Sequence, residues 1–475
     1  MSDLHYLTWS FLTVEWTIRL VMLVYVPQRR SPAAARGWLM LIFVEPIVGL
    51  LIYSILGRPN LPRRRVELQA RSSRFIRARG SDWFNQNVSH PDVPHEFESA
   101  VALAQGLGDF GILGGNSVEL LSDYDGSIDR LVADIDAAER HVHLLYYIFG
   151  TDATGRRVSD ALIRAASRGV TCRLLIDSFA SRRAIRELGP AMRAAGVEVV
   201  EVLPASLFRP WRIRFDLRNH RKIAVIDGRI GYVGSQNIIN ADFKRGIVYK
   251  ELVARVTGPV VLQLQATFLT DHHIETEHEE HDDGIFVAPP STGDVLAQAL
   301  PSGPGYPFAG NLKLIVALVH AAQRRIVITT PYFIPDASLL QAIQSAALRG
   351  VEVHLVVSKV VDQVLVGLAQ RSFYDELLEA GVKIYLYKQG LLHAKHVSID
   401  DDVATIGSSN LDIRSFALNA EITLLVYDPQ VVAQLHVEQA RNMADSEPLD
   451  AQRWNNRPLW RKVAQNTARL FDSLL

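Results

Sequence analysis

Asn219 to Asp227 reads NHRKIAVID and is followed at Gly234 by GSQN; Leu392 to Asp400 reads LHAKHVSID and is followed at Gly407 by GSSN. Both stretches fit His-x-Lys-x4-Asp-x6-Gly-Ser-x-Asn. Six fixed residues at fixed spacing arise by chance at roughly 10⁻⁸ per starting position at average usage, so two copies in one chain mark a duplication. His220 and Lys222 are two apart on an extended segment, as are His393 and Lys395, so each pair points to one face. The runs IAVI and HVSI carry Asp227 and Asp400 to a strand end. Glycine permits close backbone approach there, and Ser235, Asn237, Ser408 and Asn410 supply neutral donors.

Around each motif the same order of elements recurs. Val142 to Phe149 (VHLLYYIF) reads as a buried strand, Ser159 to Val170 as an amphipathic helix ending in Arg-Gly-Val, and Thr171 to Ser178 as the next strand. A further helix leads to AAGVEVVEV, ending at Val202. In the second half Arg325 to Phe333 is a strand and Leu339 to Val351 a helix ending in the same Arg-Gly-Val. Glu352 to Ser358 follows, then a helix and EAGVKIYLY, ending at Tyr387. Strands alternating with helices predict an α/β fold of two homologous halves, with mostly parallel pairing and helices over the sheets.

If the halves pack face to face about a pseudo-two-fold axis, two histidines, two lysines and several polar donors converge on one shared active site. Such a site suits a phosphodiester. Lysines and neutral donors stabilise the phosphoryl oxygens; a neutral imidazole attacks phosphorus; the other, protonated, gives its proton to the leaving alkoxide and takes one from the acceptor. Protein cations carry the electrostatic load, so no metal or cofactor is expected. The symmetric motifs leave open which histidine is the nucleophile, with His220 the first choice.

Apolar residues concentrate at the start of the chain. Leu7 to Val26 and Gly37 to Leu56 each have the length to cross a hydrocarbon core of about 30 Å. They predict a two-helix transmembrane hairpin over residues 1–58, with Trp9, Trp38 and Tyr53 near run ends as interfacial anchors. Glu15 and Arg19 can pair along one helix face, and Glu45 precedes Pro46 in the middle of the second run. Arg29, Arg30 and Arg36 lie between the runs. Arg58, Arg63, Arg64, Arg65, Arg71, Arg74, Arg77 and Arg79 follow them, with Glu67 the one acidic residue among them. Two crossings return the chain to its starting side, and the arginines favour a cytoplasmic body. The arginine-rich stretch, read as a basic juxtamembrane linker over 59–115, can hold anionic head groups. The halves are then 116–285 and 286–475.

The remaining features narrow the function. With 475 residues, 50 basic and 51 acidic side chains and 48% apolar residues, the chain has a sizeable core and no global excess of positive charge, so no nucleic-acid partner is expected. A single cysteine, Cys172, excludes an intrachain disulfide and a multi-cysteine zinc site. Asp271 to Asp283 (DHHIETEHEEHDD) has no standard metal-ligand spacing and reads as a solvated linker; Pro289, Pro290, Ser291, Thr292 and Gly293 mark the boundary between halves. In Ser206 to Lys222, Phe208, Trp211, Ile213 and Phe215 interleave with Arg209, Arg212, Arg214 and Arg218. That pattern suits a head-group interface. Trp454 to Leu475 reads as a packed terminal helix. Oligomeric state leaves no mark in the sequence.

The motif pair resembles the phospholipase D superfamily over nearly the whole chain beyond Asn116. Within it, HLLYYIF at His143, TTPYFIPD at Thr329, GSSNLDIRSFALNAE ending at Glu421 and the hairpin ending LLIYSILGRP are most similar to the bacterial cardiolipin synthases. The resemblance implies an α/β/α/β/α sandwich, a phosphohistidine intermediate and phosphatidyl transfer between two phosphatidylglycerol molecules at the bacterial inner membrane, with hydrolysis, another acceptor alcohol or a membrane-tethered nuclease as alternatives. It implies His220, Lys222, Asp227, His393, Lys395 and Asp400 as the catalytic set. It also implies a carboxylate orienting each histidine: Glu421, and Glu251 where the family more often has Asp. Tyr147 and Tyr332 would line the pocket.

Overall fold

The computed structural model describes residues 2–30, 32–57, 61–84, 88–204, 217–278, 283–286, 289–306 and 308–470. The body is built on a fifteen-stranded sheet whose order runs nearly symmetrically outward from its middle. In the first half His141–Tyr146, Thr171–Asp177 and Glu198–Val202 pair in parallel, joined by helix Ala153–Ser167 and then by two short helices, Arg182–Glu187 and Gly189–Ala194. In the second half Arg325–Thr329, Glu352–Ser358 and Lys383–Tyr387 repeat this.

Within this sheet parallel pairing stops there, contrary to the mostly parallel sheet expected. Ile223–Ile226 turns directly into Ile230–Gly234, and His396–Ile399 into Val403–Gly407, each antiparallel. A parallel return needs a long crossover; here the connections are three-residue turns opened by Asp227 (φ 53°) and Asp400 (φ 51°). Leu113–Leu121 and Val295–Ser302 meet antiparallel at the junction of the halves.

The layers follow from alternation along each strand. Leu144, Ala224 and Ile226 pack outward with helices Tyr124–Asp136 and Ala153–Ser167. Their neighbours Leu145, Ile223 and Val225 pack inward. The inward core also holds Ala404, Ile406, Ile422 and Leu424 of the second half, and helices Val261–Thr276 and Pro429–Ala444. Helices Gly310–Ala321 and Ala337–Leu348 cover the far side. The result is helix, sheet, central helices, sheet, helix. Helix Val261–Thr276 is buried on nearly every side, as a central layer requires.

The apolar N-terminal region departs from two spanning helices. α1 (Ser2–Tyr25) is continuous, and its stretch His5–Tyr25 is long and apolar enough to cross a membrane. The second run is two helices, α2 (Pro32–Val44) and α3 (Pro46–Leu56), broken at Glu45. Pro46 has no N–H for the Ile42 carbonyl. The chain then doubles back: the Trp38 and Tyr53 rings meet edge to face with centroids 5.1 Å apart, whereas fifteen residues of continuous helix would separate them by about 22 Å. Gly49 permits the approach, since a Cβ there would lie 2.8 Å from Ile42 Cα. Arg19 donates to the Phe43 carbonyl at 3.1 Å and pairs with Glu15 at 3.2 Å, occupying a carbonyl near the broken helix end. Neither α2 nor α3 is long enough to span alone.

The expected linker is ordered. α4 (Arg63–Phe84) docks on the body through Leu68 and Ile76. Arg64, Arg65 and Arg77 pair with Glu277, Glu275 and Asp109, so three of the flanking arginines are engaged within the protein. The expected solvated linker at 271–283 also begins as structure: Asp271, His272 and Glu275 lie on the central helix and bind Arg221, Glu198 and Arg65. No metal-ligating group forms among the described residues. The aromatic–arginine stripe lies outside the described residues up to position 216. Helix Leu459–Arg469 packs through Gln465 and Ala468 but leaves Trp460 and Val463 exposed.

Candidate active site

The two motif strands end beside one cavity of about 380 Å³, lined among others by His220, His393, Tyr147, Tyr332, Asn237 and Asn410. Each half supplies a histidine to it, and the other half supplies that histidine's carboxylate. Glu421, from the second half, accepts from His220 Nδ1 at 2.9 and 3.0 Å. Glu251, from the first, accepts from His393 Nδ1 at 2.7 Å. The Glu251 side chain thus reaches its partner. Backbone pairing fixes the exchange: His220 N donates to Ala420 O at 2.8 Å, and His393 N to Lys250 O at 2.7 Å.

Burial pulls the His220 imidazole down to about 4 against the raising pull of Glu421, and lowers His393 against Glu251. Burial pushes the Glu421 and Glu251 carboxyls up, but the histidines and buried lysines outweigh it and hold both below the ordinary carboxylate value. The resting state is thus a neutral imidazole donating Nδ1–H to a carboxylate. This tautomer leaves the Nε2 lone pair for chemistry.

Lys222 and Lys395 lie behind the histidines, each ammonium donating to the carbonyl of its own motif histidine. Burial lowers Lys222 to about 7 and Lys395 to about 8. A phosphodiester bound beside the histidines would favour their charged forms.

Other residues expected at the site are placed differently. Ser408 donates to Glu421 at 2.5 Å and so braces a carboxylate, whereas Ser235 donates to the Leu252 carbonyl at 3.1 Å and accepts from the Leu252 amide at 3.0 Å; neither lines the cavity. Asn237 accepts from the Ile148 amide at 3.0 Å and lines the cavity, as does Asn410. Tyr147 and Tyr332 line it as expected, the Tyr147 ring 5.0 Å from His220. Asp227 and Asp400 are not brought in. Asp227 accepts from the amides of Glu139, Arg140 and His141 at 2.9, 2.7 and 2.9 Å; Asp400 accepts from Gln323, Arg324 and Arg325 at 3.0, 2.8 and 2.8 Å. Each sits at the end of the motif strand remote from its histidine and holds the start of the neighbouring strand.

A family model described as cardiolipin synthase, PLD-like domain, matches residues 131–271 and 315–442, more than half of the chain. The chain belongs to this family. It is 37% identical over 476 residues to cardiolipin synthase A of Pectobacterium carotovorum subsp. carotovorum (strain PC1), covering 97% of this chain and 95% of that protein. It is 37% identical over 473 residues to cardiolipin synthase A of Yersinia pseudotuberculosis serotype O:1b (strain IP 31758), with the same coverages. Among solved structures, phosphatidylserine synthase of Haemophilus influenzae Rd KW20 shares the fold with a TM-score of 0.61 at 16% identity, over 80% of this chain and 100% of that one.

Several site residues had no signal strong enough to single them out. Asp362 accepts from Lys244 at 2.6 Å, Tyr249 at 3.2 Å and Tyr332 at 2.5 Å, joining both halves at the cavity wall. Tyr249 lies 5.5 Å from the His393 ring, much as Tyr147 lies beside His220. Arg221, between the motif His and Lys, is fully buried; it pairs with Asp271 and donates to the Glu421 carbonyl at 3.0 Å. Its counterpart in the second motif is Ala394, a difference between the copies that could have drawn notice.

Proposed function

We propose that the chain makes cardiolipin by moving a phosphatidyl group from one phosphatidylglycerol to another. The observation that carries this is the pair of cavity-facing histidines, each held at Nδ1 by a carboxylate of the opposite half and backed by a buried lysine. In this reading His220 is the nucleophile. Its Nε2 attacks the donor phosphorus, the bond to the glycerol head group breaks, and His393, protonated in the substrate complex, gives that alkoxide its proton. Glycerol leaves. A hydroxyl of the second phosphatidylglycerol then gives its proton to His393 and attacks the phosphohistidine. This releases cardiolipin and restores His220. Lys222 and Lys395 supply positive charge from behind the histidines, Asn237 reaches the phosphoryl group from the cavity wall, and Glu421 and Glu251 stabilise each imidazolium as it forms.

The same reading bears on localisation. We infer that α1 crosses the bacterial inner membrane and that α2 and α3 enter it and return, so that the body lies on the side of the arginine-rich segment, the cytoplasm. Purified protein in phosphatidylglycerol bilayers is expected to yield cardiolipin and free glycerol in equal amounts. With phosphatidylglycerol labelled at phosphorus, digests quenched and kept in alkali should carry the label on the peptide containing His220. Phosphatidic acid as the dominant product would replace the transferase reading with a hydrolase one, and label on the His393 peptide would reverse the two roles.

A further inference from the structure

Two loops meet at the mouth of the cavity. The segment 241–249 of the first half and 359–366 of the second are tied together by the Asp362 cluster. Phe243, Asp362, Gln363 and Val366 line the cavity from these loops. Around the cavity lining these segments expose large apolar side chains: Val248 (54% exposed), Val360 and the lining residue Phe243, with Val364 (75%) and Leu365 (44%) at the start of helix Val364–Ser372. Single exposed apolar residues are ordinary on a protein surface. Five on two clamped loops, at the entrance to a polar cavity, form a patch of the kind that marks an interaction site.

We infer that this rim is the face on which the catalytic body sits against the lipid bilayer. The inference rests on the phosphatidyl-transfer reading of the site. A cavity of about 380 Å³ has room for phosphoglyceryl groups but not for acyl chains. A diacyl substrate must therefore keep its tails outside the cavity, and an apolar rim gives them continuous contact with hydrocarbon while the head group reaches the histidines. The same loops carry Lys244 and the exposed Arg245. Cations beside apolar side chains suit the head-group layer of an anionic membrane. The Lys244–Asp362 pair holds the two loops as one surface, so the rim docks as a unit.

The test uses the full chain in nanodiscs containing phosphatidylglycerol. The one native cysteine, Cys172, is buried, so an introduced cysteine can be labelled alone. Val364→Cys, Leu365→Cys and Val248→Cys carry an environment-sensitive fluorophore, with Leu348→Cys, 75% exposed on helix Ala337–Leu348, as reference. Nitroxide attached to the lipid acyl chains is expected to quench the three rim positions at least about threefold more than the reference. In parallel, Val364→Asp/Leu365→Asp is assayed on bilayer phosphatidylglycerol and on the dispersed short-chain lipid. Removing two apolar anchors lowers the ratio of bilayer to dispersed turnover about tenfold. Equal quenching at rim and reference, or an unchanged ratio, overturns the inference. Absence of turnover on both lipids by the unmodified protein, with rim quenching present, would refute the transfer reading and leave the docking face standing.

Discussion

Asp227 belongs to the repeated motif yet lies away from the chemistry, and Asp227→Asn separates the two readings of it. The substitution keeps the shape, and Asn tolerates the left-handed backbone (φ 53°) at this position. What changes is the acceptor. One carboxylate oxygen accepts from the amides of Arg140 and His141 at 2.7 and 2.9 Å, the other from Glu139 at 2.9 Å. Asparagine can serve the first two without charge, and it turns its NH₂ toward the third, a donor facing a donor. Charged acceptors contribute about 1.5–3 kcal/mol per hydrogen bond and neutral ones about 1. Allowing for solvent at these partly exposed amides, the loss is about 2–3 kcal/mol of stability, a fall of about 2–5 °C in Tm. Turnover of the folded fraction should stay within about threefold. A group acting on the reacting phosphoryl would instead cost about 10²–10³ in kcat when neutralised. The assay is thermal unfolding alongside turnover normalised to phosphohistidine burst amplitude. An unchanged Tm with kcat down a hundredfold would refute the placement of Asp227 as a strand anchor.

Glu421→Gln removes the charge that stabilises the His220 imidazolium while keeping an acceptor for Nδ1–H; kcat should fall about 30–150-fold with KM little changed, and full kcat would contradict the cross-half pairing. Arg221→Met should lower kcat about tenfold or more by releasing the Glu421 backbone. Arg221→Met/Asp271→Leu, which removes the buried charges together, should recover stability but not kcat; recovery of both would make the pair purely structural. Burial leaves Lys222 near 7 and Lys395 near 8, so binding of an oxyanion such as tungstate, by favouring their charged forms, should take up about one proton at pH 7.5. Its affinity should weaken as pH rises from 7 to 9, read by calorimetry in buffers of different ionisation heat; release of protons would reverse the sign and sink the idea. With α2 and α3 doubling back, His5→Cys in spheroplasts should react with an impermeant maleimide and Leu348→Cys should not; labelling of both, or of neither, would contradict a single crossing.

Much of the site was legible because its chemistry is written locally. His220 with Lys222 and His393 with Lys395 are read from spacing along a strand. Tyr147, Tyr332, Asn237 and Asn410 also reach the cavity as expected. The exceptions are side chains whose partners lie far along the chain. Ser408 turns from the cavity to brace a carboxylate, Ser235 turns to the Leu252 backbone, and Asp227 and Asp400 turn to backbone amides at the start of the neighbouring strand. Asp362 gained its place through contacts from residues 244, 249 and 332, which no local pattern announces. The second apolar run is two helices instead of one for a related reason. Hydropathy scores composition along a line, whereas Pro46 and Gly49 decide whether that line is straight.

The sequence by itself determined that the chain is a duplicated α/β protein with an apolar head and paired His-x-Lys motifs, because strand alternation, helix periodicity and motif spacing are properties of neighbouring residues. Only the tertiary structure decided which carboxylate serves which histidine. Glu421 and Glu251 each cross to the other half because the motif backbones pair there, His220 with Ala420 and His393 with Lys250. That pairing depends on how the two halves of the fifteen-stranded sheet close on one central layer of helices, and neither half carries its partner's position in its own residues.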